Sequence, residues 1–231
     1  MSKINLFFVV IHFFICIDVL QAQMPISKVD QKELVYKKVI KYLKNISRSY
    51  IHFSDIQPSV NDSSDLSRFY LHSGTYIVNA PVQQTWDACI FTPPTELWHG
   101  KILELSCIYN GNSDRVFYRS DQQFDSLEHH QIYFINLRLI RLFNVAAALI
   151  TTKIDADNNL IEFTYIKGNK STGKQVIRLV GTGDAETKII HDTYYQSKSK
   201  FRDKRLYSRF HQKAITELHQ KIDFYSASRY F

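Results

Sequence analysis

Glycine and proline are scarce in this chain, seven and five among 231 residues, and cysteine is scarcer still at three. The few glycines build no phosphate-binding loop, no dinucleotide fingerprint and no G-x-S-x-G nucleophile elbow. "GTGD" at 181–184 is a turn, not a cradle. Three cysteines make no disulfide framework. There is no internal repeat and no low-complexity tract, and after the N-terminus no apolar run is long enough to span a bilayer. Histidines do not fall at metal-ligand spacing. His129 and His130 are adjacent, so on a strand they point to opposite faces. His211 and His219 lie farther apart than a two-ligand helix pair requires. The sequence therefore predicts neither a metal site nor a cofactor.

Apolar and aromatic residues are abundant. Hydrophobic residues make up 45% of the chain, with 16 Phe and 14 Tyr, and the formal net charge is +7. Such a chain can bury a sizeable core. Its aromatics suit pleated surfaces.

Residues 1–22 read as an export signal. Lys3 is the positive start, "INLFFVVIHFFICI" is a short apolar run, and Ala22 is a plausible residue before the cut. An uncleaved N-terminal anchor is the competing reading. The expected location is thus periplasmic or secreted. Cleavage removes Lys3 and Asp18 together and leaves the net charge near +7. It leaves Cys89 and Cys107, either bridged or as two buried thiols. Asn45, Asn61 and Asn169 head glycosylation sequons.

Residues 23–73 read as a helical extension and linker. Within 28–46, Leu34, Val35, Val39, Tyr42, Leu43 and Ile46 recur at helical spacing, and Asp30 is a candidate cap. From Gly74 the pattern changes. Residues 75–79 predict a strand, and 81–91 a helix with Pro81 in its first turn and Val82, Trp86, Cys89 and Ile90 on one face. A break at "TPPTELW" follows. Then come strand pairs separated by "NGNSD", "DADNN" and "GDAE", three hairpin signals. The chain closes on a helix over about 201–224, in which Phe210, Ala214, Leu218 and Ile222 recur every four residues. Strands followed by a long helix predict an α+β fold, with that helix covering one face of a curved antiparallel sheet of about six to seven strands.

This order, with Ala80, Pro81 and Trp86 in "NAPVQQTWDACI", resembles the START-like superfamily of polyketide cyclases, pollen-allergen-like and lipid-transfer proteins. The resemblance covers about residues 74–224 and implies a helix-grip fold. It further implies a cavity between sheet and last helix that takes hydrophobic or amphipathic small molecules, with some members acting as cyclases or hydratases. The superfamily shares no single catalytic motif, so no catalytic residue is carried over. The extension over 23–73 and the export signal depart from the usual pattern.

Strand parity gives candidate lining residues. Ile161, Phe163 and Tyr165 form one inward set. Tyr133, Ile135, Leu137 and Leu139 form another, and Ile177 and Leu179 a third. Asn136, Arg138, Lys174 and Arg178 point outward. In "HDTYY", His191, Thr193 and Tyr195 share one face. The ligand-binding set drawn from these patterns is Trp98, Tyr133, Ile135, Phe163, Tyr165, His191, Tyr195, Phe210, Ala214 and Leu218. Each of these residues either lines a pocket or simply fills a core. His191 is either an orienting, titratable group or a satisfied core histidine. Lys198, Lys200, Arg202, Lys204, Arg205 and Arg209 form a basic cluster that suits an anionic lipid surface or is merely solvated. Nucleic acid is not an expected partner of an exported chain. Three functions remain open: non-covalent small-molecule binding, a cyclase- or hydratase-type enzyme in the same cavity, and a non-catalytic interaction protein with a filled core that acts through its basic surface.

Overall fold

The computed structural model describes residues 23–121, 126–140 and 143–228. The predicted signal segment 1–22 lies outside the described residues. One antiparallel sheet organises the rest. Its strands are β1 (Tyr70–Val78), β2 (Leu103–Asn110), β3 (Arg115–Tyr118), β4 (Ile132–Ile140), β5 (Phe143–Asp155), β6 (Leu160–Tyr165), β7 (Ser171–Gly183) and β8 (Glu186–Ser197). They lie in the order β1-β8-β7-β6-β5-β4-β2-β3. The count is eight, above the expected six to seven: the three hairpin signals give six strands, and β1 and β4 add two. The turns follow local chemistry. Asp114 and Asn159 take positive φ of 50° and 48°, conformations that Asp and Asn tolerate.

Among the described residues, four α-helices accompany the sheet: α1 (Lys37–Ile46), α2 (Val82–Phe91), α3 (Pro94–Leu97) and α4 (Ser208–Ser228). A wider π turn, Arg202–Tyr207, leads into α4. Pro81 sits one residue before α2, with ψ of 152°, rather than inside its first turn. Pro94 does occupy the first position of α3, where its missing N–H leaves nothing unpaired.

The sheet separates two cores. The inner one joins α2, α3 and α4 to the concave face and contains Trp86, Cys89, Trp98, Tyr133, Phe163 and Leu218 among others. The predicted inward sets fall here. Ile161, Phe163, Tyr165, Tyr133, Ile135, Ile177 and Leu179 belong to this core, Leu137 packs on its edge, and Leu139 is half-buried. The outer core joins the N-terminal extension to the convex face: Val39, Leu43 and Phe53 pack against Tyr109, Phe134 and Ile150. Phe53 stacks on Tyr109 at 4.6 Å.

The extension therefore buries the back of the sheet. Its helix begins at Lys37, not near residue 28. Asp30 does not cap it, because its carboxylate accepts the Lys32 N–H in a local turn. Cys89 and Cys107 are both free and belong to opposite cores, so they form no bridge. The Asn169 amide is held by Tyr42 and by both main-chain groups of Ala148, whereas Asn45 and Asn61 are exposed. Where no extension covers the convex face it carries ion pairs. Lys174 meets Glu162 at 2.6 Å, and Arg178 meets Asp192.

Candidate functional site

The interior of the grip has an apolar end and a polar end. At the apolar end, Trp98 follows α3 and turns into the core. Its ring lies 5.2 Å from Tyr133 and 5.6 Å, edge-on, from Phe163. Trp98, Tyr133, Phe163, Ile177, Leu218 and Ile222 are among the residues around a void of about 20 Å³. That is room for about one water-sized sphere. The Tyr133 hydroxyl donates to Gln131 Oε1 at 2.7 Å. Burial pushes its pKa far above the ordinary phenol range, so it stays protonated.

The α4 helix is latched over this end by one carboxylate. Glu217 accepts from the main-chain N–H groups of Lys101, Ile102 and Leu103 at 2.8–3.0 Å. Gly100 makes room for it, since a Cβ there would collide with the Glu217 carboxylate.

At the polar end four histidines converge: His72 from β1, His191 from β8, and His211 and His219 from α4. The His191 and His219 rings lie 5.1 Å apart, His191 and His211 5.7 Å, and His72 and His211 5.4 Å. His191 Nδ1 is 2.9 Å from His219 Nε2, and His191 Nε2 is 3.0 Å from Gln175 Oε1. Gln175 Nε2 donates to the Tyr165 hydroxyl at 3.3 Å, which in turn bonds Tyr207. Tyr207 stacks on Tyr195 at 3.7 Å and on His211 at 5.3 Å. Tyr76 lies over His219 at 4.2 Å.

Desolvation holds His191 and His211 well below the usual histidine range and lowers His219 to about 3, with neighbouring histidines adding to the effect. These rings are therefore neutral. Chemically, the cluster offers imidazole lone pairs and protonated phenols in a dry setting.

The structure distributes the sequence-predicted set between these ends. Trp98, Tyr133, Phe163 and Leu218 surround the void, and Ile135 packs in the same core. Tyr165, His191 and Tyr195 belong to the polar end. Ala214 is buried, while Phe210 is only half-buried and outside the inner core. The sequence reading missed His72, Gln175, Tyr207, His211 and His219. Only the eight-residue separation of His211 and His219, about two helical turns, hinted that they share a face. Among the described residues, no group of three His, Cys, Asp or Glu side chains is arranged to hold a metal ion.

Of the basic residues, Lys198, Lys200, Lys204, Arg205 and Arg209 are exposed beside the polar end. Arg202 instead folds back onto Ser171, Asp203 and the Lys170 carbonyl.

Neither the protein-family models nor the curated proteins compared with the sequence match it. Solved structures do match in shape. Norcoclaurine synthase from Thalictrum flavum, in complex with dopamine and hydroxybenzaldehyde, superposes with a TM-score of 0.52 at 14% identity, over 70% of this chain and 88% of that one. A protein of Thermus thermophilus gives 0.51 at 9% identity, over 70% and 100%. A START superfamily protein from Mycobacterium smegmatis gives 0.48 at 11% identity, over 68% and 97%. At such identities the likeness shows the fold alone, a curved antiparallel sheet closed by a long C-terminal helix in the helix-grip manner.

Proposed function

We propose that this chain binds a hydrophobic or amphipathic small molecule between the concave sheet face and α4. One observation carries the reading: the interior joins an apolar void at Trp98 to a buried polar cluster whose ring nitrogens are not all paired. Ligand sites commonly combine an apolar lining with a few convergent polar groups. A pocket for a drug-sized molecule measures roughly 300 Å³ or more. Binding therefore requires Trp98 and α4 to move outward, and the Glu217 latch is the contact to be broken. The chain works outside the cytoplasm after loss of residues 1–22, and its exposed basic residues at 198–209 meet anionic lipid headgroups.

Native mass spectrometry of the purified mature protein, followed by extraction, tests the reading. The expected result is a retained compound, or binding of at least one member of a panel of lipids and aromatic dyes with a change in Trp98 fluorescence. A stable protein that retains nothing and binds nothing from the panel contradicts it. That outcome would favour a second reading, an interaction protein with a filled core, whose specific support is the small size of the void.

A further inference from the structure

The polar end of the grip has a direction, set by Gln175. An amide oxygen only accepts, so His191 Nε2 must donate to Gln175 Oε1. His191 is neutral, so its Nδ1 carries a lone pair. That lone pair faces His219 Nε2, which therefore carries the proton. His219 is neutral too, and its Nδ1 is left as a bare acceptor. This atom is buried without a partner, as are the Nδ1 atoms of His72 and His211. A buried polar group left unpaired is unfavourable, and the three lie within one cluster of adjoining rings.

The groups facing this cluster carry no formal charge. They are His72 and Tyr76 of β1, Tyr165 of β6, Gln175 of β7, Thr193 and Tyr195 of β8, Tyr207 of the π turn, and Gln212 of α4. Asp203 lies beyond Tyr195 and is engaged by Ser197 and Arg202. The nearest charges, Arg202 and Asp203, pair with each other behind the tyrosines, and His191, His211 and His219 feel no charged side chain other than one another and His72. A neutral hydrogen-bond donor fits. The cluster adjoins the void through chain and register: His219 follows Leu218, and His191 is paired directly with Ile177.

We propose that this cluster reads the hydroxyl group of a neutral amphipathic ligand, an alcohol or phenol that donates to His219 Nδ1 while its apolar body lies toward Trp98 and Phe163. The inference rests on the grip being a ligand site, and it names the chemistry selected there.

Calorimetric titration of the mature protein with 2-naphthol and with 2-methoxynaphthalene tests it. The two probes share an apolar body, and only the first can donate. The naphthol is expected to bind about tenfold more tightly, in line with one net hydrogen bond. His219→Phe is expected to bring that ratio close to one. Equal affinities in the unmutated protein overturn the hydroxyl reading and leave small-molecule binding standing. Failure of both probes counts against binding in the grip itself. Nitrogen-15 chemical shifts of the histidine rings give a check that needs no variant. His219 is expected as the Nε2–H tautomer, and an Nδ1–H tautomer would overturn the proposal.

Discussion

Desolvating three imidazoles, those of His191, His211 and His219, couples the charge state of single residues to the stability of the whole chain. In the unfolded chain a histidine takes up its proton near pH 6.5. In the folded protein His191, His211 and His219 resist protonation, His219 down to about pH 3. Below pH 6.5 the unfolded state thus binds more protons, and stability falls as pH falls. Above about pH 6.5 both states are neutral at these rings and their contribution is flat. Urea midpoints are expected to hold constant from pH 8 to 7 and to drop already between pH 6.5 and 5, above the usual carboxylate range. A midpoint unchanged down to pH 5 would show that these rings are not desolvated in solution. Glu217 is a second single-residue control point. Its carboxylate serves three main-chain donors, so Glu217→Ala leaves them without that partner. The expected loss is about 1–3 kcal/mol in denaturant unfolding, with Glu217→Gln losing less. If the latch also gates the grip, Glu217→Ala should speed dye entry in stopped-flow measurements. A variant of unchanged stability and unchanged entry rate would remove Glu217 from both roles.

Whole elements divide the energy between the two faces of the sheet. The extension adds a second core on the convex side, where Phe53 is 1% exposed and wedged between Tyr109 and Phe134. Phe53→Ala is expected to destabilise the chain by about 3–5 kcal/mol, read as a shift of the urea midpoint. A loss below about 1 kcal/mol would mean that the extension is only loosely attached. This second core also explains what the sequence did and did not reveal. The hairpins were legible because turn chemistry is local, as at Asn159 and Asp114. Strand parity was legible because Phe163 and Tyr165 alternate with more polar neighbours. The helical spacing over 28–46 extends beyond the helix itself because Leu34 and Tyr36 are buried against the back of a sheet formed much later in the chain. Phe210 recurs with Ala214 and Leu218, yet that end of α4 faces the polar cluster and leaves Phe210 half-buried. The cluster was not legible at all, since His72 and His191 meet only through β1–β8 pairing across more than a hundred residues.

Across the whole molecule, the net charge of +7 includes a marked concentration at the entrance to α4, with six Lys or Arg and one Asp over 198–209. That Asp is buried and paired with Arg202, which leaves Lys198, Lys200, Lys204, Arg205 and Arg209 as the exposed basic side chains. Phe201, 67% exposed, and Leu206, 37% exposed, stand among the basic side chains. An anionic bilayer attracts each nearby Lys or Arg by about 1 kcal/mol, and an exposed phenyl ring can enter the headgroup region. The patch lies beside the polar end of the grip, so docking there would place the ligand site near a lipid surface. Co-sedimentation is expected with vesicles containing about 30% phosphatidylserine and not with pure phosphatidylcholine, at roughly physiological salt. Screening shortens to about 3 Å in 1 M salt, and binding should be lost there. Reversing two charges, Lys204→Glu with Arg205→Glu, removes two attractions and adds two repulsions, and should weaken binding by more than tenfold. Phe201→Ala should weaken it less and leave the salt dependence intact. Equal binding to neutral vesicles, or indifference to the double reversal, would leave the cluster as a solvated surface and detach membrane contact from the ligand site.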